Sequence, residues 1–208
     1  MKKTVLHSIS SKIVTFIYVF GLCILILISC QSKSSKKDYI AYVRDVTNGL
    51  HHVKTMGNIH FDLQYQPSTY RYLGISDTSC LYDSLSHFKL TLSSKDGQDL
   101  LKSLSRDKES YFQNIYYFSY SFQNHIYIES KGQKQSCALY HFERSYNLKQ
   151  SKTFVFAFAE KQIADKTIVI NSPLLDTGAV KFKISKKAIQ SIPKVDIELP
   201  KSDDEHKV

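Results

Sequence analysis

Tryptophan is absent from this 208-residue chain, and proline (4), glycine (7) and cysteine (4) are all scarce. So little Pro and Gly excludes collagen-like and low-complexity architectures. It also leaves no Pro/Gly/Ser-rich break long enough to divide a folded unit, and no internal repeat is present. Catalytic signatures are missing too. There is no C-x-x-C for thiol redox work, no G-x-S-x-G, no P-loop, no H-E-x-x-H and no S-x-x-K with its partner motifs. These absences point to a protein that is not an enzyme and carries no cofactor and no metal. The segment from Tyr111 to Tyr127 is dense in Tyr, Phe and Ile, which a glycan-binding surface would use. Without tryptophan, and with aromatics ordinarily at home inside strands, those rings are expected in the core.

Long apolar runs are also rare, with one exception. After the basic start Met-Lys-Lys and Lys12, the stretch Ile13–Ile28 carries no charge. At about 16 residues it is shorter than the roughly 20 that span a bilayer comfortably. A basic start, an apolar core and a small residue before a cut describe an export signal. The run ends Leu27-Ile28-Ser29-Cys30, which resembles the lipobox of bacterial lipoproteins. That resemblance implies cleavage between Ser29 and Cys30, a diacylglyceryl thioether on the Cys30 sulfur, and acylation of the new amino group. Ser29 is small enough for a peptidase pocket, and only a thiol can form the thioether. Cys23, within the same run, has neither neighbour. Two or more acyl chains anchor firmly where one does not, so membrane lipid is an expected partner, held through acylated Cys30.

Residues 1–29 are therefore expected to be a signal peptide. Residues 30–38, with Gln31-Ser-Lys-Ser-Ser-Lys-Lys-Asp38, form a lipidated flexible tether, because no large apolar residue falls there. A single β-rich domain should occupy 39–200, followed by a charged tail at 201–208. The signal holds three of the 28 basic residues and none of the 19 acidic ones, so the remainder carries +6. Apart from the tether and Lys181–Lys187, the basic residues are scattered singly as on a solvated face. With export, that pattern argues against nucleic acid as a partner.

Strand signals dominate. Ile59–Tyr65 alternates apolar and polar and ends at Pro67, with Met56-Gly57-Asn58 as the turn of a hairpin whose first arm is His52–Thr55. Phe88–Leu92, Tyr117–Phe122, His125–Glu129, Cys137–Glu143, Phe154–Phe158, Thr167–Ile170 and Val180–Ile184 also read as strands, with Lys131-Gly132 as a turn. Two helices are expected. One covers 78–87 after Asp77, and one starts near Ser105 with Asp107 in its first turn and Phe112, Ile115 and Tyr116 on one face. This pattern predicts an α+β fold, predominantly antiparallel β, as a sheet or sandwich with about two inserted helices. Tyr117–Arg144 has the highest apolar density and is expected at the centre of the sheet. Leu139 and Phe142 would then both be buried, with both faces of their strand covered.

Seven histidines follow the signal. His60-x-Asp62 and His141-x-Glu143 each put two metal-ligand types on one strand face, but those are also the polar positions of alternating strands, where solvent exposure suffices. Cys80 and Cys137 are the thiols left once Cys30 is lipidated. They are a candidate disulfide closing a loop of 57 residues in an exported protein, or two ordinary free cysteines. The carboxylates Asp62, Asp83, Glu129 and Glu143 are scattered.

Several short motifs in order resemble small outer-membrane lipoproteins of Bacteroidota. They are Tyr42-x-x-Asp45 with Asn48-Gly49-Leu50, Phe61-x-x-Gln64-Tyr65-x-Pro67, Tyr117-Phe118-Ser119-Tyr120 with Phe122-Gln123, Leu139–Arg144 and Gly178-x-Val180-Lys181-Phe182. The resemblance spans about residues 38–195 and implies outer-membrane anchoring, without supplying a reaction or a catalytic residue. Surface-exposed lipoproteins of that phylum often carry acids soon after the cysteine; the lysines here favour the periplasmic side. The resulting expectation is a lipid-anchored, non-enzymatic binding or assembly domain with envelope protein partners. The alternatives are a ligand-binding lipoprotein for haem, metal or glycan, and an envelope hydrolase.

Overall fold

The alternating stretch after Gly57 organises the molecule. In the computed structural model, which describes residues 34–82, 84–130, 132–144, 148–159 and 165–197, β1 (His51–Met56) and β2 (Ile59–Gln66) form the expected antiparallel hairpin. Gly57 adopts the left-handed φ of 58° that its tight turn requires. Ile59, Phe61 and Leu63 point inward and are buried, whereas His60, Asp62 and Gln64 lie on the opposite face. Strands β3 (Ser86–Ser94), β6 (Leu139–Glu143) and β7 (Lys152–Phe158) complete a five-stranded sheet in the order β1-β2-β3-β7-β6. A second sheet has the order β5-β4-β8-β9, from β4 (Ile126–Ser130), β5 (Gln133–Ser136), β8 (Lys166–Ile170) and β9 (Val180–Ile184). All pairings are antiparallel.

The two sheets share one core. Phe61, Leu90, Phe154 and Phe156 of the first and Ile128, Ile168, Phe182 and Ile184 of the second belong to a single buried cluster. The Phe61 and Phe182 rings lie 6.4 Å apart. On β9, Lys181 and Lys183 alternate outward with buried Val180, Phe182 and Ile184, as the pattern of that strand predicts. An α+β fold built on antiparallel sheets is thus the observed class.

The helices exceed the two expected: α1 (Lys36–Arg44), α2 (Ser68–Ile75), α3 (Ser79–Tyr82), α4 (Leu100–Ser103), α5 (Lys108–Tyr116) and α6 (Lys186–Gln190). Ser35 caps α1, its hydroxyl accepting from the Asp38 N–H at 3.1 Å. Tyr39 and Val43, one turn apart, then pack with Leu50 and Ala188 in a second small cluster. Lys36 to Asp38 are therefore helical, inside what the polar composition marked as tether. Residues 1–33, with the signal, Ser29 and Cys30, lie outside the described residues, as do Asp83, His206 and the tail.

Three expectations need correction. The helix at 78–87 is only α3, because Ser86, Phe88 and Leu90 already alternate along β3. Tyr117–Phe122 is helical rather than extended: α5 runs on through a π turn (Tyr117–Ser121) and a 3-10 turn (Phe122–His125). Phe118 and Phe122 sit four apart on its inner side, and both are fully buried. Lastly, β6 is an edge strand rather than the centre of the sheet. Phe142, opposite Phe154, faces inward, and Leu139 is 42 % exposed on the outer face with His141 and Glu143. Regular alternation with one buried face resolves the odd spacing, without a bulge or a second cover.

Candidate functional site: an aromatic face beside an edge strand

Asp107 starts α5 with a reciprocal cap. Its carboxylate accepts from the Ser110 N–H at 2.8 Å, while the Asp107 N–H donates to the Ser110 hydroxyl at 3.1 Å. The inner side of the helix is then fixed by Ile115 against the core and by buried Asn114, whose amide donates to the Leu104 carbonyl and the Ser105 hydroxyl. With those residues inward, positions 112, 116 and 120 must face out. Phe112, Tyr116 and Tyr120 are 57 %, 64 % and 56 % exposed, and the Tyr116 and Tyr120 rings stand 4.9 Å apart.

The π turn ties this helix to β6. The Phe122 N–H reaches back five residues to the Tyr117 carbonyl, rather than four to Phe118 as in an α-helix. The Phe118 carbonyl instead accepts the hydroxyl of Tyr140 on β6. Burial pushes the Tyr140 hydroxyl pKa well up, so it stays protonated and remains a donor. Beneath, Phe118, Phe122, Phe142 and Phe154 pack ring on ring, with Phe122 and Phe154 4.9 Å apart. Single-turn π bulges often mark functional segments, and this one sets a wall of tyrosine next to a sheet edge.

Between the π turn and β6 lies an open cleft of about 400 Å³, lined by Ser119, Tyr120, Tyr140, His141, Phe142 and Arg144. Arg144 is exposed, and its guanidinium donates to the Ser119 hydroxyl at 3.0 Å. Among the described residues β6 pairs only with β7 and ends the sheet, so no described strand pairs with its other side. Aromatic rings, a held guanidinium and an open strand edge suit recognition of an extended polypeptide. The arrangement offers no activated nucleophile. Cys137, just before β6, is half-buried, and burial pushes its thiol up to about 12, so it is protonated at neutral pH.

Neither a protein-family model, a curated protein nor a solved structure matches this chain.

The other residues singled out by sequence do not converge. His60 meets the Thr55 hydroxyl across the hairpin at 2.6 Å, and Asp62 meets His51 Nε2 at 2.8 Å. The second His51 nitrogen lies 2.6 Å from the Arg44 carbonyl, so this His–Asp pair is built into the junction of α1 and the sheet. Glu129 pairs with Lys181 at 3.3 Å. His141 and Glu143 do share the outer face of β6, as alternation requires, and both are exposed. Among the described residues no three His, Cys, Asp or Glu side chains gather as a metal site. Cys80 is buried in α3, and it and Cys137 are free thiols, the latter's sulfur donating to the Ile126 carbonyl at 3.5 Å. No described helix is long and apolar enough to cross a membrane.

Sequence reasoning assigned the aromatic segment to the core and passed over Arg144 and Ser119 as site residues. A signal was present. Phe112, Tyr116 and Tyr120 recur every four residues, out of phase with Phe118 and Phe122, which a helix separates onto two faces.

Proposed function

We propose that this chain is a lipid-anchored protein of the bacterial cell envelope, acting as a non-enzymatic binding domain that holds an extended segment of an envelope protein along β6. The anchor rests on the Leu27-Ile28-Ser29-Cys30 motif and the signal-like run before it. The observation that carries the binding role is the exposed row Phe112, Tyr116 and Tyr120, whose Tyr120 end lines the cleft beside an edge strand. Tyr and Arg are the residue types that dominate interface energetics, and Tyr120 and Arg144 both line this cleft. The β6 sequence Leu-Tyr-His-Phe-Glu lacks the Lys and Pro that usually blunt an unused edge. An edge left open and walled by tyrosine is expected to be used.

The test places a photo-activatable aromatic residue at position 120 in the full chain in its native envelope, with position 183 as an exposed control on the other sheet. A discrete cross-linked product from 120 alone, lost on Leu139→Lys and on Arg144→Ala, supports the reading. Equal products from both positions, or a product unaffected by changes along β6, would refute it. A product of twice the chain's own mass would reassign the partner as a second copy. Cys30→Ala should separately abolish fatty-acid labelling; equal labelling of variant and wild type would sink the anchor.

A further inference from the structure

The end of the molecule where the tether meets the fold carries a different surface. Ser34, the first described residue, donates its N–H to the Lys194 carbonyl at 3.3 Å, and Ser35 caps α1 directly after it. α1 and α6 meet here through Tyr39, Val43 and Ala188. The result is a groove of about 500 Å³ whose lining includes Tyr39, Pro67, Ile189, Ile192, Pro193 and Val195. Burial pushes the Tyr39 hydroxyl up to about 12, so it stays uncharged at neutral pH. Lys194 lines the groove, and the exposed Lys36, Lys37, Lys186 and Lys187 lie on α1 and α6, the helices that supply its Tyr39 and Ile189. Acids are present as well: Asp196 lines the groove, the Asp165 carboxylate accepts the Lys186 N–H at 2.8 Å, and the Asp38 carboxylate accepts from the Ser35 hydroxyl at 2.6 Å.

We propose that this lysine-rimmed groove is a seat for an anionic lipid surface, so that the domain lies on the membrane by this face. The inference rests on the lipid-anchor reading for its geometry. Cys30 and Ser34 are four chain steps apart, with three residues between them, and a fully extended chain gains at most about 3.6 Å per step. The root of the domain is then held within about 14 Å of the lipid glycerol. At that range, about two Debye lengths at physiological salt, the lysine side chains reach the headgroups. Each lysine near an anionic surface raises affinity about fivefold, and apolar Ile192 and Val195 meet the interfacial region between the charges. The seat also orients the other end. β1 adjoins α1 through the Arg44–His51 contact, while β6 ends the opposite side of the sheet. Four strand spacings of about 4.8 Å separate them, so the aromatic face stands clear of the bilayer.

The absence of tryptophan makes the test direct. Full-chain Ser191→Trp reports on the seat and Tyr116→Trp on the aromatic face. Each is reconstituted into 3:1 phosphatidylcholine:phosphatidylglycerol vesicles containing headgroup-nitroxide phosphatidylcholine. Quenching at 191 should exceed that at 116 several-fold. The difference should collapse in pure phosphatidylcholine, in 1 M salt, and when Lys37, Lys187 and Lys194 are changed to Glu. Equal quenching at the two positions, or no dependence on anionic lipid, overturns the seat. Gln190→Trp replaces Ser191→Trp should the latter alter the far-UV spectrum. Flotation with pure phosphatidylcholine vesicles reads the anchor independently of charge. A chain that fails to float there and carries no acyl group refutes the anchor alone. That chain must still float with the anionic vesicles, or the seat is refuted as well.

Discussion

Lys152 begins β7 on its inward side, opposite Leu92, where the strand pattern calls for an apolar residue. Its side chain is 2 % exposed, and its ammonium lies 2.5 Å from the Asp99 carboxylate, itself only 10 % exposed. The ammonium also donates to the Lys149 carbonyl at 3.1 Å. The second Asp99 oxygen caps α4, accepting the Lys102 N–H at 3.1 Å. Asp99→Asn keeps a capping oxygen of equal rank but leaves a buried ammonium without its counter-charge. Removing one partner of a buried pair destabilises by about 3–5 kcal/mol, a large share of a total near 5–15. For a domain of this size each kcal/mol moves the Tm by about 2–4 °C, so Asp99→Asn should lower it by roughly 6–20 °C. Changing both residues removes the imbalance. Unbranched Met follows the path of the lysine stem, and replacing a whole buried pair by apolar groups is often neutral or better. Asp99→Asn/Lys152→Met should therefore be more stable than Asp99→Asn alone. Urea and thermal unfolding followed by circular dichroism measure all three variants. A loss under about 1 kcal/mol for Asp99→Asn, or a double variant no more stable than the single, would show that the pair is solvated and the reasoning mistaken.

Phe154→Ala, at a fully buried ring touching Phe118, Phe122 and Phe142, should cost about 3–5 kcal/mol. Leu139→Ala, on an exposed edge position, should cost under about 1 kcal/mol, and comparable losses in urea unfolding would contradict the placement of β6. Burial, then the nearby charge of Lys54, holds the His52 imidazole pKa below its usual 6.5 despite a bond to the Gly49 carbonyl. The unfolded chain therefore takes up this proton first, so His52's contribution is complete above about pH 6.5 and fades as pH falls toward the lower folded value; His52→Gln should flatten that part of the stability–pH curve, and an unchanged slope would refute the assignment. Cys137 should react with iodoacetamide far more slowly than a solvent-exposed thiol at pH 8, and rapid alkylation without unfolding would overturn its burial.

The strands were legible wherever one face meets the core and the other meets solvent. Along β2, β3 and β9 the period of two in the sequence is the period of burial in the structure. The helices were less so, because their buried positions are few. α1 buries only Tyr39 and Val43, and a lysine-rich start concealed it as tether. Tyr117–Phe122 was misread for a definite physical reason. Phe118, Tyr120 and Phe122 alternate with two serines, which fits a strand, while Phe118 and Phe122 alone fit a helix. The Asp107–Ser110 cap upstream favours the helix, and the Tyr140 hydroxyl meets the Phe118 carbonyl within the π turn. A partner 22 residues away decides the local conformation, and no window on the segment contains it.

The same misreading explains why the candidate site stayed hidden. As a strand, the segment would have shared its tyrosines between two faces, and Tyr120 would have joined Phe118 and Phe122 inside. As a helix it puts Phe118 and Phe122 into the core and leaves Phe112, Tyr116 and Tyr120 in water. Exposing three large rings together is unfavourable for an isolated domain, and nothing in the core requires it, since Ile115, Phe118 and Phe122 already supply the packing. Substituting the outer rings therefore separates binding from folding. Tyr116→Ser/Tyr120→Ser should leave the Tm within a few degrees while removing the partner cross-link formed from a photo-activatable residue placed instead at exposed position 141 on β6. A fall in Tm comparable to that of Phe154→Ala would mean that the outer rings support the fold, and the case for a binding surface there would fail.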